Sequence, residues 1–490
     1  MHSRDGLSDR WLLSRLAIIL VVGLSASACT VASATPKSSA LHPEPSGSAA
    51  PSTAASQPSM PADTIAPIDT ALPLVTSTPE PTLSPSPAPS PTPASLPSLG
   101  PTPSGNWAAL HWVAVREPAI MGPAPTSNPD ALGRGLAIFG WSRGYVGFRV
   151  TTWQDSDGTS HAVIGTAHSA DGLRWIMGSQ LDSAPVSGRF QIGGMTSVVE
   201  GPAGLLAIAD QEIGACGDPT PHVAAMWRST DGGVTWQAVD MTVFGAEGAV
   251  QRVGAGSAGY IATGDMAVWI SSDGASWKSV PLSAAAFKGV TLIENGTAFS
   301  GGYVLGGATL APEGGCGGPP HILPSVWWSP DGRTWSRDQV PSIQAPTAAG
   351  SNAYMTVCRI SDKALLATET SYDAKTDKMA ISHWTSTDGR TWKLVSSKVP
   401  DCSNVLTDGQ RGVILNPASL NADSTASPTE AYDVRADLTM VALGQTGDVP
   451  DAQAWANGDL GIGSVALGPT GVVVATYDGT GFWVGVPVGG

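Results

Sequence analysis

One short pattern recurs five times between residues 169 and 392 of this chain, and it limits the fold more than any other feature. The copies are Ser169-Ala-Asp171-Gly172-Leu-Arg-Trp175, Ser229-Thr-Asp231-Gly232-Gly233-Val-Thr-Trp236, Ser271-Ser-Asp273-Gly274-Ala-Ser-Trp277, Ser329-Pro-Asp331-Gly332-Arg-Thr-Trp335 and Ser386-Thr-Asp388-Gly389-Arg-Thr-Trp392. Successive tryptophans lie 61, 41, 58 and 57 residues apart. Repeats of that period are supersecondary units stacked as blades or a solenoid. The local chemistry is that of a hairpin turn. Glycine accepts positive φ, and the Asp carboxylate accepts hydrogen bonds from turn amides. The Trp is expected to open the next strand and to bury its ring beneath the turn.

The residues before each copy carry β-rich runs and Gly-rich turns. The third unit is the most compact: Arg252–Ala255, Tyr260–Thr263, Ala267–Ile270 and Trp277–Val280 read as four short strands, A to D. No amphipathic helix is legible between them. The pattern resembles the Asp box, or BNR repeat, of sialidases and related β-propellers, and the second copy fits its fullest form. The resemblance implies an all-β fold, a β-propeller of four-stranded antiparallel blades with Asp-box hairpins. Val413–Leu415 with Leu438–Val441 continue the rhythm as a sixth blade. Ile462–Leu467, Val472–Thr476 and Phe482–Val486 supply three strands of a seventh. Leu110–Val115 is the strand D that blade lacks, so seven blades closed by the N-terminal strand are expected, with six as the alternative.

Three segments divide the chain. Residues 1–28 read as a signal peptide: Arg4, Arg10 and Arg15 precede a short apolar core, Leu16–Leu24. Ala26-Ser27-Ala28 precedes Cys29 and resembles a bacterial lipoprotein signal, with Cys29 as the lipidated residue. Ordinary cleavage after Ala28, giving a secreted protein, is the other reading. Residues 29–105 are dominated by Pro, Ser, Thr and Ala. They lack the apolar residues that would offset ordering entropy, and read as a disordered, semi-stiff tether. Residues 106–490 are the propeller. The location is therefore extracytoplasmic, with the membrane reached through the N-terminal lipid only.

A net charge of −15 argues against nucleic acid as a partner. Two functions fit: a monomeric binding or scaffolding module for a cell-surface carbohydrate or protein, or an exo-sialidase type of glycoside hydrolase. The family resemblance would imply an arginine triad, a Tyr–Glu nucleophile pair, an Asp acid and a Phe/Tyr-Arg-Ile-Pro motif. The nearest match, Phe148-Arg149-Val150-Thr151, lacks Ile-Pro and falls in a strand B. No catalytic residue is assigned, and binding is the preferred reading, with no cofactor and no metal. The B–C loops are the candidate ligand face: His161, His222 and His321, with Glu212 and Glu313, lie in or beside them. Cys216-Gly-Asp-Pro and Cys316-Gly-Gly-Pro sit at matching points of two of these loops. A Cys216–Cys316 bridge would draw His222 and His321 together. Cys358 and Cys402 stand near the first strands of consecutive blades, where a second bridge is geometrically reasonable.

Overall fold

Glycine at the turns and alternating apolar residues along the runs produce an almost purely β structure. The computed structural model describes residues 106–115, 131–154, 160–182, 190–213, 222–245, 250–264, 266–310, 322–338, 352–373, 376, 378–395, 402, 405–407, 412–416, 430–434, 440–445, 462–476 and 481–489. Strand β1 (Asn106–Ala114) comes first. Then β2 (Ala131–Trp141), β3 (Gly144–Gln154), β4 (Ser160–Ser169) and β5 (Ile176–Asp182) form one antiparallel sheet. β6 (Phe190–Gly201), β7 (Gly204–Ile213), β8 (His222–Ser229) and β9 (Gln237–Ala238) form the next. β10 (Arg252–Gly256), β11 (Gly259–Gly264), β12 (Ala267–Ser271) and β13 (Lys278–Ser279) follow.

β14 (Val290–Phe299), β15 (Gly302–Leu310), β16 (Ile322–Ser329) and β17 (Ser336–Asp338) share an eight-stranded sheet with β18 (Asn352–Ser361), β19 (Ala364–Asp373), β20 (Lys378–Ser386) and β21 (Lys393–Val395). A parallel pairing of Ile322 with Asn352 joins the two halves. β22 (Val405–Thr407), β23 (Gly412–Asn416), β24 (Glu430–Val434) and β25 (Met440–Gln445) make another four-stranded sheet. In the last, β26 (Ile462–Gly468), β27 (Gly471–Thr476) and β28 (Phe482–Val488) are completed by β1, which pairs antiparallel with β28. The expected closure by the N-terminal strand is therefore present: Leu110 faces Pro487 and Ala114 faces Trp483. Among the described residues, 3-10 turns at Met241–Phe244 and Ala285–Phe287 interrupt the β structure. Among the described residues no helix is long and apolar enough to cross a membrane.

The first strands of these units touch in the order β2, β6, β10, β14, β18, β22, β26 and back to β2. This cyclic packing is that of a β-propeller. The core lies in layers between neighbouring sheets, as where Phe148, Leu205 and Trp236 pack together. Side chains reaching across to the adjacent unit fasten the ring. Tyr145, Tyr260 and Tyr303 each follow the glycine that ends an A–B turn. Their hydroxyls donate to Gly471 O, Gly204 O and Ala258 O of the preceding unit, at 2.8, 2.9 and 2.7 Å. Glycine is required at two such turns. A Cβ on Gly204 (φ 118°) or Gly302 (φ 121°) would stand 2.2 or 2.1 Å from the carbonyl oxygen of Ser229 or Ser329.

Candidate functional site

The meander A–B–C–D places the A–B turns and the Ser-x-Asp-Gly hairpins on one face, and the B–C connections on the other. On the first face the polar groups are occupied by scaffolding. Ser229 Oγ accepts from Gly233 N at 2.8 Å, and Asp231 accepts from Thr235 N. Asp273 accepts from Ala275 N and Ser276 N at 2.9 and 2.7 Å. Desolvation pushes the Asp273 carboxyl up, but these amides and the Ser271 hydroxyl outweigh it and hold it at about 2. Asp231 and Asp388 are lowered by the same balance, and Asp331 by its Thr334 and Arg333 amides. The indole N–H of Trp175, Trp236, Trp277 and Trp335 donates to the turn glycine carbonyl. The tryptophan therefore closes the turn, and each outer strand begins one residue later than expected, at Ile176, Gln237, Lys278, Ser336 and Lys393. The A–B turns are likewise tied together. Glu200 accepts from Ser142 N and Oγ, and Asp362 accepts from Ser257 N and, through its carbonyl, from Ser300 N.

The B–C connections carry the histidines and acids singled out from the sequence. Register places His161 opposite Trp153 near the end of the β3–β4 hairpin, and Glu212 opposite His222 at the end of β7–β8. Cys216, Cys316, His321 and Glu313 lie outside the described residues. Cys358 and Cys402 form a disulfide with Cα atoms 5.6 Å apart. It anchors the chain three residues before β22 to β18, and Cys402 N donates to Thr368 Oγ1 at 3.2 Å. That hydroxyl also lies 3.3 Å from His383 Nδ1. Among the described residues no group of three or more His, Cys, Asp or Glu side chains gathers as metal ligands would.

Two charged sites were not foreseen. Arg252 opens β10 at the B–C end, and its guanidinium lies 2.8 Å from the Glu294 carboxylate on β14, with side chains 35% and 6% exposed. Both belong to first strands, so the pair bridges two sheets at the inner edge of the ring. The available signal was a lone acid inside an apolar run, Val290–Phe299, since a buried carboxylate requires a partner. Glu369 on β19 is buried and receives one long hydrogen bond, 3.4 Å, from Trp384 Nε1. Desolvation pushes its carboxyl up.

No protein-family model matches this chain, and no curated protein does. Its solved structural neighbours are sialidases and glycoside hydrolases. Trypanosoma rangeli sialidase in complex with sialic acid is 12% identical, covering 78% of this chain and 60% of its own, with a TM-score of 0.37. Zg3597, a family 117 glycoside hydrolase of Zobellia galactanivorans, is 9% identical over 65% of this chain and 88% of its own, at 0.28. A glycosyl hydrolase from Bacteroides ovatus is 11% identical over 55% and 85%, at 0.24.

Proposed function

We propose that this chain is a seven-bladed, Asp-box β-propeller, held outside the cytoplasm by a lipid on Cys29 and a Pro-rich tether, that binds cell-surface carbohydrate. In the seven-blade reading β14–β17 and β18–β21 are separate blades that share one bridge, and β1 completes the last. The observation that carries the binding reading is the Arg252–Glu294 pair at the inner edge of the B–C face. It sets a donor beside an acceptor where a hydroxyl-rich ligand would enter, while the opposite face uses its polar groups to hold turns together. A lipid anchor and an extended spacer suit capture at a surface.

The test is incubation of the full-length protein with a glycan array and, separately, with the same glycans in solution followed by mass spectrometry. Retention of glycans that stay intact is the expected result. Release of a terminal sugar would replace this reading with that of a glycoside hydrolase, and failure to retain any glycan would reject both.

A further inference from the structure

The interface between the β10–β13 and β14–β17 sheets changes character along its height. Gly254 opposes Ile261, and Leu305 opposes Trp327. A Cβ on Gly296 would stand 3.0 Å from Ile261 Cδ1 and 2.7 Å from Leu305 Cδ2, so these residues form one apolar layer. Two residues along a strand return to the same face. One such step toward the B–C end replaces Gly254 and Ile261 by Arg252 and Thr263, which are opposite each other. On the facing sheet it replaces Leu305 and Trp327 by Gly307 and Ser325. Glu294 enters the same level through its ion pair with Arg252. Thr309 follows one step further, its hydroxyl 2.8 Å from Ser325 Oγ. An apolar interface thus ends in a buried polar layer.

Two observations mark this layer as more than a structural ion pair. Thr263 is 1% exposed, and its hydroxyl has no hydrogen-bond partner among the described residues. A buried hydroxyl left unmatched destabilises the fold unless something else occupies it. Furthermore, β11 and β12 are joined by only two residues, between Gly264 and Ala267, whereas Leu310 and Ile322 of the next hairpin are separated by eleven. The layer therefore lies under the shortest of these B–C connections, with Arg252 its most exposed member.

We propose that Arg252, Glu294 and Thr263 form a subsite for a neutral sugar. The guanidinium donates to one hydroxyl of a vicinal pair, the Glu294 carboxylate accepts from the other, and Thr263 Oγ1 takes a further bond as Arg252 shifts onto the ligand. The charge balance selects the class. An anionic sugar would meet the Glu294 carboxylate, and an ammonium group would meet the guanidinium. A neutral hydroxyl is donor and acceptor at once and satisfies both halves of the pair. The inference rests on the carbohydrate-binding reading above and adds its residues and ligand class.

The test uses the full-length protein, its Thr263→Val variant and its Arg252→Lys variant on an array of neutral, carboxylated and sulfated glycans. The wild type is expected to retain neutral glycans. Arg252→Lys is expected to weaken retention about tenfold, since the planar fork is lost. Thr263→Val, nearly isosteric, is expected to weaken it about threefold or more while its melting temperature holds or rises. Equal affinity of both variants and wild type would overturn the subsite and leave the carbohydrate reading standing. Retention of acidic glycans alone would overturn the neutral class. A wild type that retains none would reject the carbohydrate reading itself.

Discussion

Asp273 shows how one side chain can hold a hairpin: its carboxylate accepts from Ala275 N, Ser276 N and the Ser271 and Ser276 hydroxyls. Asp273→Ala is expected to cost about 1 kcal/mol, as the loss of a helix cap does, read from the midpoint of urea unfolding. Because the folded carboxyl sits at about 2, below the unfolded value, its stabilisation is complete above about pH 4 and lost as pH falls toward 2. The wild type should lose stability through that window, and Asp273→Ala should lose less. Glu369 has the opposite sign. Burial raises its carboxyl, so its contribution is intact at low pH and lost as pH rises through the folded value. Glu369→Gln should raise the melting temperature at pH 8 and change it little at pH 4, followed by differential scanning fluorimetry. Asp273 was legible in the sequence because its partners lie within three residues of it. Glu369 was not, because what makes it costly is its burial in the folded chain, which no local pattern shows.

At the scale of elements, strands with distant partners matter most. β1 pairs with β28, and Leu110 and Trp112 pack on Val472, Val474 and Trp483. Deleting residues 1–115 should expose the β28 edge and lower stability by roughly 3–5 kcal/mol, while deleting 29–105 should leave the denaturation midpoint in place. The disulfide makes a second long-range tie. Its sequence separation of 44 residues corresponds to about 4 kcal/mol of chain entropy. Cys402→Ser should lower the denaturation midpoint accordingly, with the earliest rise in hydrogen exchange in β22 and β23. Both ties were readable in advance: one from a blade with only three strands, the other from two cysteines near the first strands of consecutive blades. The Ile322–Asn352 pairing that joins two sheets was not, since nothing periodic in the sequence sets the lean of one hairpin toward the next unit.

For the molecule as a whole, the proposed lipid on Cys29 makes a prediction about location. If Cys29 carries a lipid, cells fed an alkyne fatty acid should label the wild type and not Cys29→Ser, which should appear in the medium instead. Label on neither form would favour plain secretion, and label on both would place the acylation on a residue other than Cys29.

The sequence by itself determined the all-β class, the repeat, the turn chemistry and the closing strand. Each depends on short-range geometry: a carboxylate reaching amides two to four residues on, side chains alternating along a strand, or a blade that is one strand short. The tertiary structure alone decided which charges meet. Arg252 and Glu294 sit in different sheets, and their contact depends on how two twisted sheets are staggered, which no local pattern encodes. The same stagger leaves Thr263 Oγ1 buried without a partner among the described residues, and so singles out the end of the ring where a ligand is proposed to bind.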